Sequence, residues 1–276
     1  MSTASKFVRE RVLPGAAFIA TSALLVACAS PPSLSGDSVA AIVASPDRSA
    51  ADRINDIRRK PAEMLVFIGV RPGMVALDVS AGRGYTTELI ARAVGAEGKV
   101  YGQNAPRNPA RAAPAQPEGA AAPAPAGAAP PAPTLAERAR NPKLSHIVPV
   151  LRSFEDPAPP EVANGALDLV TLMFNYHDLG HLGVDRAKMN RAIFQALKPG
   201  GVYVIADHSG RTGTGIHESG TLHRVEEAFV KQEVEAAGFR LAAQGNFLRN
   251  PADPRDRNTP EPPMPKDEFV VKFVKP

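Results

Sequence analysis

The chain has 276 residues, 22% of them charged, and a formal net charge of +4. That length accommodates one large domain or two small ones. Lys6, Arg9 and Arg11 against Glu10 account for +2 of the charge. The +2 left for the rest, with no basic run interleaved with aromatics, excludes a nucleic-acid surface. A single cysteine, Cys28, excludes an intramolecular disulfide, so the fold rests on its core.

The N-terminus reads as a targeting segment: a basic start over 6–11, then an apolar stretch over 16–27 too short for a comfortable membrane span. It ends in Leu25-Val-Ala-Cys28, which resembles the lipobox of bacterial lipoproteins. The resemblance implies a signal peptide over 1–27, cleaved before a Cys28 that is acylated on its thiol and amine. Several acyl chains give stable membrane anchoring where one is marginal. No Asp follows Cys28, which by the same resemblance implies the outer membrane, facing the periplasm. Residues 28–46 are expected to be a tether and 47–276 the folded domain.

A helix is expected from Asp47, with Ser49 near its start and Ile54 and Ile57 three residues apart. Pro61 suits the first turn of a second helix over 61–68, and Arg71-Pro-Gly73 is a turn. Then comes Val75-Ala-Leu-Asp-Val-Ser-Ala-Gly-Arg-Gly-Tyr85: a buried strand, a turn of small residues and a helix start, with Asp78 at its lip. Such a strand, glycine turn and helix N-terminus make a nucleotide-type pocket. After the helix over 85–95, residues 98–102 read as a second strand. In 105–133, 22 of 29 positions are Ala or Pro and none is a large apolar residue. That composition cannot offset its ordering entropy, so a disordered insertion is expected. A helix starts near Thr134. Strands follow over 146–151, 168–174 and 201–207, with helices over 184–197 and 222–237, the last ended by Gly238. Segments 239–248 and 268–274 close the sheet as an antiparallel hairpin. The alternation is that of an α/β three-layer sandwich.

The spacing Asp78-x-Ser80-x-Gly82-x-Gly84 resembles the first motif of class I S-adenosylmethionine-dependent methyltransferases, with Ser80 where the family has Gly. The resemblance covers roughly 60–276 apart from the insertion. It implies a Rossmann-like, mostly parallel seven-stranded sheet, with S-adenosylmethionine as cofactor at Asp78, Ser80, Ala81, Gly82 and Gly84. At the end of the second strand the family has a carboxylate on the ribose hydroxyls, and this chain has Gln103-Asn104. An amide still bonds a hydroxyl, but a charged acceptor is stronger by about 1–2 kcal/mol. The same resemblance places Phe154 and Glu155 around the adenine and Asn175 and Tyr176 on the methionine side.

The fourth and fifth strands end in Asn175-Tyr-His-Asp-Leu-Gly-His181 and Asp207-His208-Ser209, and His177, His181, His208 and His217 fall at or just after these ends. Ligands bind at the carboxyl edge of such sheets. In the methyltransferase reading His177 or His208 is the general base toward the substrate, beside Tyr176 and Asp178, because imidazole titrates near neutral pH. A zinc or iron site would draw on His177, Asp178, His181 and His208, but no signature spacing supports it and no metal ligand is assigned. The third reading is loop capping and core hydrogen bonding. Tyr176-His-Asp178, Gly213-x-Gly215 and the 217–223 stretch also resemble a group of predicted bacterial methyltransferases of unestablished substrate. By that family likeness the cofactor is a cytoplasmic metabolite, whereas the N-terminus points to export. The alternative is therefore an exported small-molecule-binding or structural lipoprotein on the same scaffold.

Overall fold

In the computed structural model, residues 1, 33–106, 131–260 and 264–276 are described, and every described element lies in one unit, Pro31–Pro276. Three helices come first: α1 (Gly36–Ala44), α2 (Ala50–Arg59) and α3 (Pro61–Ile68). The first strand β1 (Val75–Val79) leads to α4 (Tyr85–Val94) and β2 (Lys99–Asn104). Then follow α5 (Leu135–Ala139), β3 (Ile147–Leu151), β4 (Leu167–Met173) and α6 (Asp178–His181). The chain ends in α7 (Arg186–Ala196), β5 (Leu197–His208), α8 (Glu227–Ala236), β6 (Arg240–Gly245) and β7 (Glu268–Val274). The seven strands lie in the order β3-β2-β1-β4-β5-β7-β6, parallel except for β7, which runs antiparallel to β5 and β6. This is the expected mostly parallel, seven-stranded, three-layer sheet with its closing hairpin.

Because strand side chains alternate between faces, the sheet has two cores. Ala76, Leu169, Val204 and Val270 pack with Met64, Leu65 and Ile68 of α3 and Leu89, Ile90 and Val94 of α4. Leu77, Val79, Val170, Leu172, Ile205 and Phe273 pack on the other face with Met189 and Ile193 of α7 and Val230 and Val234 of α8.

Several local expectations change in the folded chain. The expected tether 28–46 contains α1: Ser35 caps it by accepting from the Ser38 N–H, and Val39 is buried against the first core. Helix α2 forms with Ser49 as its cap, yet Ile54 and Ile57 point to solvent. Its inward side carries Asp52, whose two carboxylate oxygens accept from Arg138 of α5 at 2.8 and 2.9 Å. A buried guanidinium thus selects the polar stripe of α2 for the interior. The helix expected over 222–237 begins only at Glu227. Before it, Arg224 is fully buried and donates to the Ser209 carbonyl at 3.0 Å, and Val225 bridges to Ser209, which holds the segment extended. The expected insertion 105–133 is narrower at its end: the Ala132 carbonyl accepts from Arg83 Nε at 2.7 Å, and Thr134 opens α5 with a full capping box to Glu137. Residues 107–130 lie outside the described residues, as do 2–32 and hence Cys28.

Candidate functional site

The turn after β1 is built by its neighbours. Ser80 has φ +58 and Gly82 φ +57, a left-handed conformation that glycine adopts freely and serine does not. Ser80 is held there from both ends, its N–H donating to Gln103 Oε1 (3.0 Å) and its hydroxyl to Asn175 Oδ1 (2.5 Å). The Ala81 N–H donates to the Gln103 carbonyl at 2.8 Å. Asn104, last in β2, accepts from the Gly82 N–H at 2.8 Å and donates back to the Gly82 carbonyl at 3.1 Å. A carboxylate could accept but not donate, so the amide holds the turn in a way the family's acidic residue cannot.

The two glycines differ in purpose. A Cβ on Gly82 would meet nothing within 4 Å, whereas one on Gly84 would stand 2.9 Å from Leu135 Cδ1 and 3.0 Å from Arg138 Cδ. Gly82 faces open space, and Gly84 makes room for α5. Asp78 does not stand at the pocket's lip. It is 2% exposed, and its two oxygens accept from the hydroxyls of Thr87 (2.6 Å) and Thr171 (2.8 Å). Burial pushes its carboxyl up to about 6 even against those bonds. Asp78 thus ties α4 to β1 and β4 rather than meeting a ligand.

From the turn a chain of polar contacts runs along the carboxyl edge. Asn175, bonded to Ser80, donates through Nδ2 to Asp178 Oδ2 at 2.6 Å. Asp178 Oδ1 lies 3.2 Å from His177 Nε2, 3.1 Å from His223 Nδ1 and 3.9 Å from His181 Nδ1. Behind this group His177 Nδ1 meets Asp207 Oδ1 at 2.6 Å, while the N–H groups of His177 and His208 donate to the same carboxylate at 2.8 and 2.7 Å. Burial disfavours a charged His177, but Asp207 and then Asp178 reverse this and lift it to about 10. Burial also works against the Asp178 anion, yet His177 and His223 hold it down at about 2. His208, 7% exposed, is pushed well below its ordinary value by burial and then by the Lys266 charge. Its Nδ1 is 3.0 Å from Glu268 Oε1 without hydrogen-bonding geometry.

These facts reassign several expected residues. At neutral pH His177 holds its proton, so it donates rather than serving as a base. Tyr176 is fully buried on the far face: its hydroxyl donates to Glu233 Oε2 of α8 at 2.7 Å and accepts from Asn190 of α7 at 3.1 Å. It therefore cannot line a cofactor's methionine side. Phe154 packs partly buried against the second core, and Glu155 accepts from the Asp185 N–H at 3.3 Å, both after β3 at the same edge. His217 is exposed on the loop after β5.

Sequence reasoning missed His223 as a member of the cluster and missed Arg59, and it placed Gln103 with Asn104 at the ribose position without foreseeing its hold on the turn. The Arg59 guanidinium lies 3.9 Å over the Phe174 ring, where burial lowers it to about 10. Phe174 itself has φ +59. A narrow apolar cleft here is lined by Met64, Tyr85, Met173 and Phe174 together with Arg59. Only the arginine-rich end of α2 could have hinted at this.

No family model and no curated sequence matches the chain. Solved structures do. A methyltransferase from Aquifex aeolicus described as S-adenosylmethionine-dependent is 18% identical and aligns over 88% of this chain and 100% of its own, with a TM-score of 0.53. An arsenic(III) S-adenosylmethionine methyltransferase from Chlamydomonas reinhardtii is 18% identical over 90% of this chain and 74% of its own, with a TM-score of 0.50. At such identities the likeness is one of architecture: this chain has the Rossmann-like fold of the S-adenosylmethionine-dependent methyltransferases.

Proposed function

We propose that the chain is an S-adenosylmethionine-dependent methyltransferase, anchored in the cell envelope through a lipidated Cys28. The observation that carries the reading is the continuous edge from the open Gly82 through Ser80 and Asn175 to Asp178 and its histidines, on that fold. The donor set suits the cofactor. Asn104 spends one lone pair and one N–H on Gly82, which leaves one of each for a ribose diol. Gly82 admits the close approach, Phe154 offers an apolar face and Glu155 an acceptor to an adenine, and Asn175 bounds the methionine side. When bound, the cofactor supplies an electrophilic methyl group on a sulfonium.

The residues' own part is to orient an acceptor and manage its proton. The protonated His177 donates a hydrogen bond, and Asp207 holds its ring. The partly exposed His181, bordering the Asp178–His223 pair, is the imidazole placed to draw a proton from an acceptor.

A second reading, an exported small-molecule-binding lipoprotein without turnover, is favoured by one specific observation. The N–H groups of Ser80, Ala81 and Gly82 are already spent on Gln103 and Asn104. Calorimetric titration of the full chain with S-adenosylmethionine separates the two. Saturable binding supports the first, and no binding by a cooperatively folded sample leaves the second. Mass spectrometry of the mature chain checks the anchor, which an intact Met1 terminus would refute.

A further inference from the structure

We propose that His177, Asp178 and His223 form a binding site for a divalent first-row transition ion, with zinc the ion its donor set suits. Zinc takes nitrogen and carboxylate oxygen at 2.0–2.2 Å, so two ligands on a tetrahedral ion stand about 3.3 Å apart. Asp178 Oδ1 lies 3.2 Å from His177 Nε2 and 3.1 Å from His223 Nδ1, and ligand atoms of the three residues all fall within 4.8 Å of one another.

Ion binding releases the proton that His177 holds in the ion-free chain, since imidazole ligates only in its neutral form, and each ligand is oriented from behind. His177 Nδ1 is 2.6 Å from the buried Asp207 carboxylate, the carboxylate–histidine pairing that turns Nε2 outward at metal sites. Asp178 gives its other oxygen, Oδ2, to Asn175, which leaves Oδ1 for the ion. His223 sits at φ +50, a strained conformation for a residue with a side chain. The buried Arg224 beside it, bonded to the Ser209 carbonyl and 2.9 Å from Asp253, keeps it there.

The neighbouring set of His177, Asp207 and His208 does not serve, because Asp207 already accepts three N–H donors. His181 flanks the open side, its Nδ1 3.9 Å from Asp178 Oδ1 and 3.0 Å from Ser219 Oγ. Three protein ligands with a fourth position open is the pattern of a reactive centre rather than a structural one. Ion binding does not depend on the methyl-transfer reading. What does rest on that reading is the ion's use, which is to hold an oxygen or sulfur acceptor two hydrogen bonds from Ser80 and ease loss of its proton.

The test uses the full chain, stripped with chelator and reconstituted with zinc or cobalt(II). The expected result is one equivalent bound per chain and the visible absorption of four-coordinate cobalt. His223→Ala and the isosteric Asp178→Asn, each confirmed to unfold cooperatively, should lose affinity by about 100-fold or more, since even outer partners cost 10–100-fold. His217→Ala, exposed and outside the cluster, should bind as the parent does. A folded parent chain that holds no ion overturns the site, as do His223→Ala and Asp178→Asn variants that bind as tightly as the parent. Retained metal with no cofactor binding would leave the site standing and remove only the methyl-transfer reading.

Discussion

Gly82 and Asn104 face each other across the turn, and substitutions there separate ligand from scaffold. Gly82→Val puts a branched side chain into open space at φ +57. It should lower the unfolding free energy by about 1–3 kcal/mol, read by urea denaturation, and abolish cofactor binding in calorimetry. From the sequence alone, Asn104→Asp restores the family's carboxylate and should tighten binding about tenfold, the worth of roughly 1.4 kcal/mol. The structure alters that expectation, because the substituted carboxylate could no longer donate to the Gly82 carbonyl. The variant should instead lose about 1 kcal/mol of stability and gain no affinity. In the ion-free, chelator-stripped chain His177 carries the pH dependence. Its folded value of about 10 lies above the ordinary 6.5, so its stabilisation is complete below pH 6.5 and drains away as pH rises toward 10. A His177→Gln variant, compared with the parent by thermal unfolding across that window, should lack this decline.

At the scale of elements, α5 shows how a five-residue helix survives. A helix that short is marginal alone, and its Thr134–Glu137 capping box closes only one end. Arg138 does the rest, bridging Asp52 of α2 and Glu88 of α4 with its side chain 1% exposed. Removing one member of a buried ion cluster strands the others, so Arg138→Ala should cost about 3–5 kcal/mol in denaturant titrations. An effect under about 1 kcal/mol, the usual worth of a surface pair, would mean that α2 and α5 are held by apolar packing instead.

For the whole molecule, the unit Pro31–Pro276 has its two cores on either side of one sheet. Residues 107–130 contain no large apolar side chain, so replacing them by a short flexible linker should shift the melting temperature by only a few degrees, the equivalent of about 1 kcal/mol. Loss of cooperative unfolding would show that the stretch contributes to the core. Keeping Ala132 in that deletion matters, because Arg83 is bonded to its carbonyl.

What the sequence determined by itself is what local pattern can carry. The apolar run at Val75 and the proline opening α3 were legible, as were the glycines around the turn and the order of strands and helices, because each depends on residues within a few positions. The segments 239–248 and 268–274 were legible as a closing antiparallel hairpin. Which side chains converge was decided only by the tertiary structure. His223 reaches Asp178 across 45 positions, and Arg138 reaches Asp52 across 86. Neither pairing leaves a spacing that can be read along the chain. The same holds for Tyr176, Ile54 and Gly84: a side chain's direction is set by the neighbour that packs against it, and those neighbours arrive only when the sheet closes.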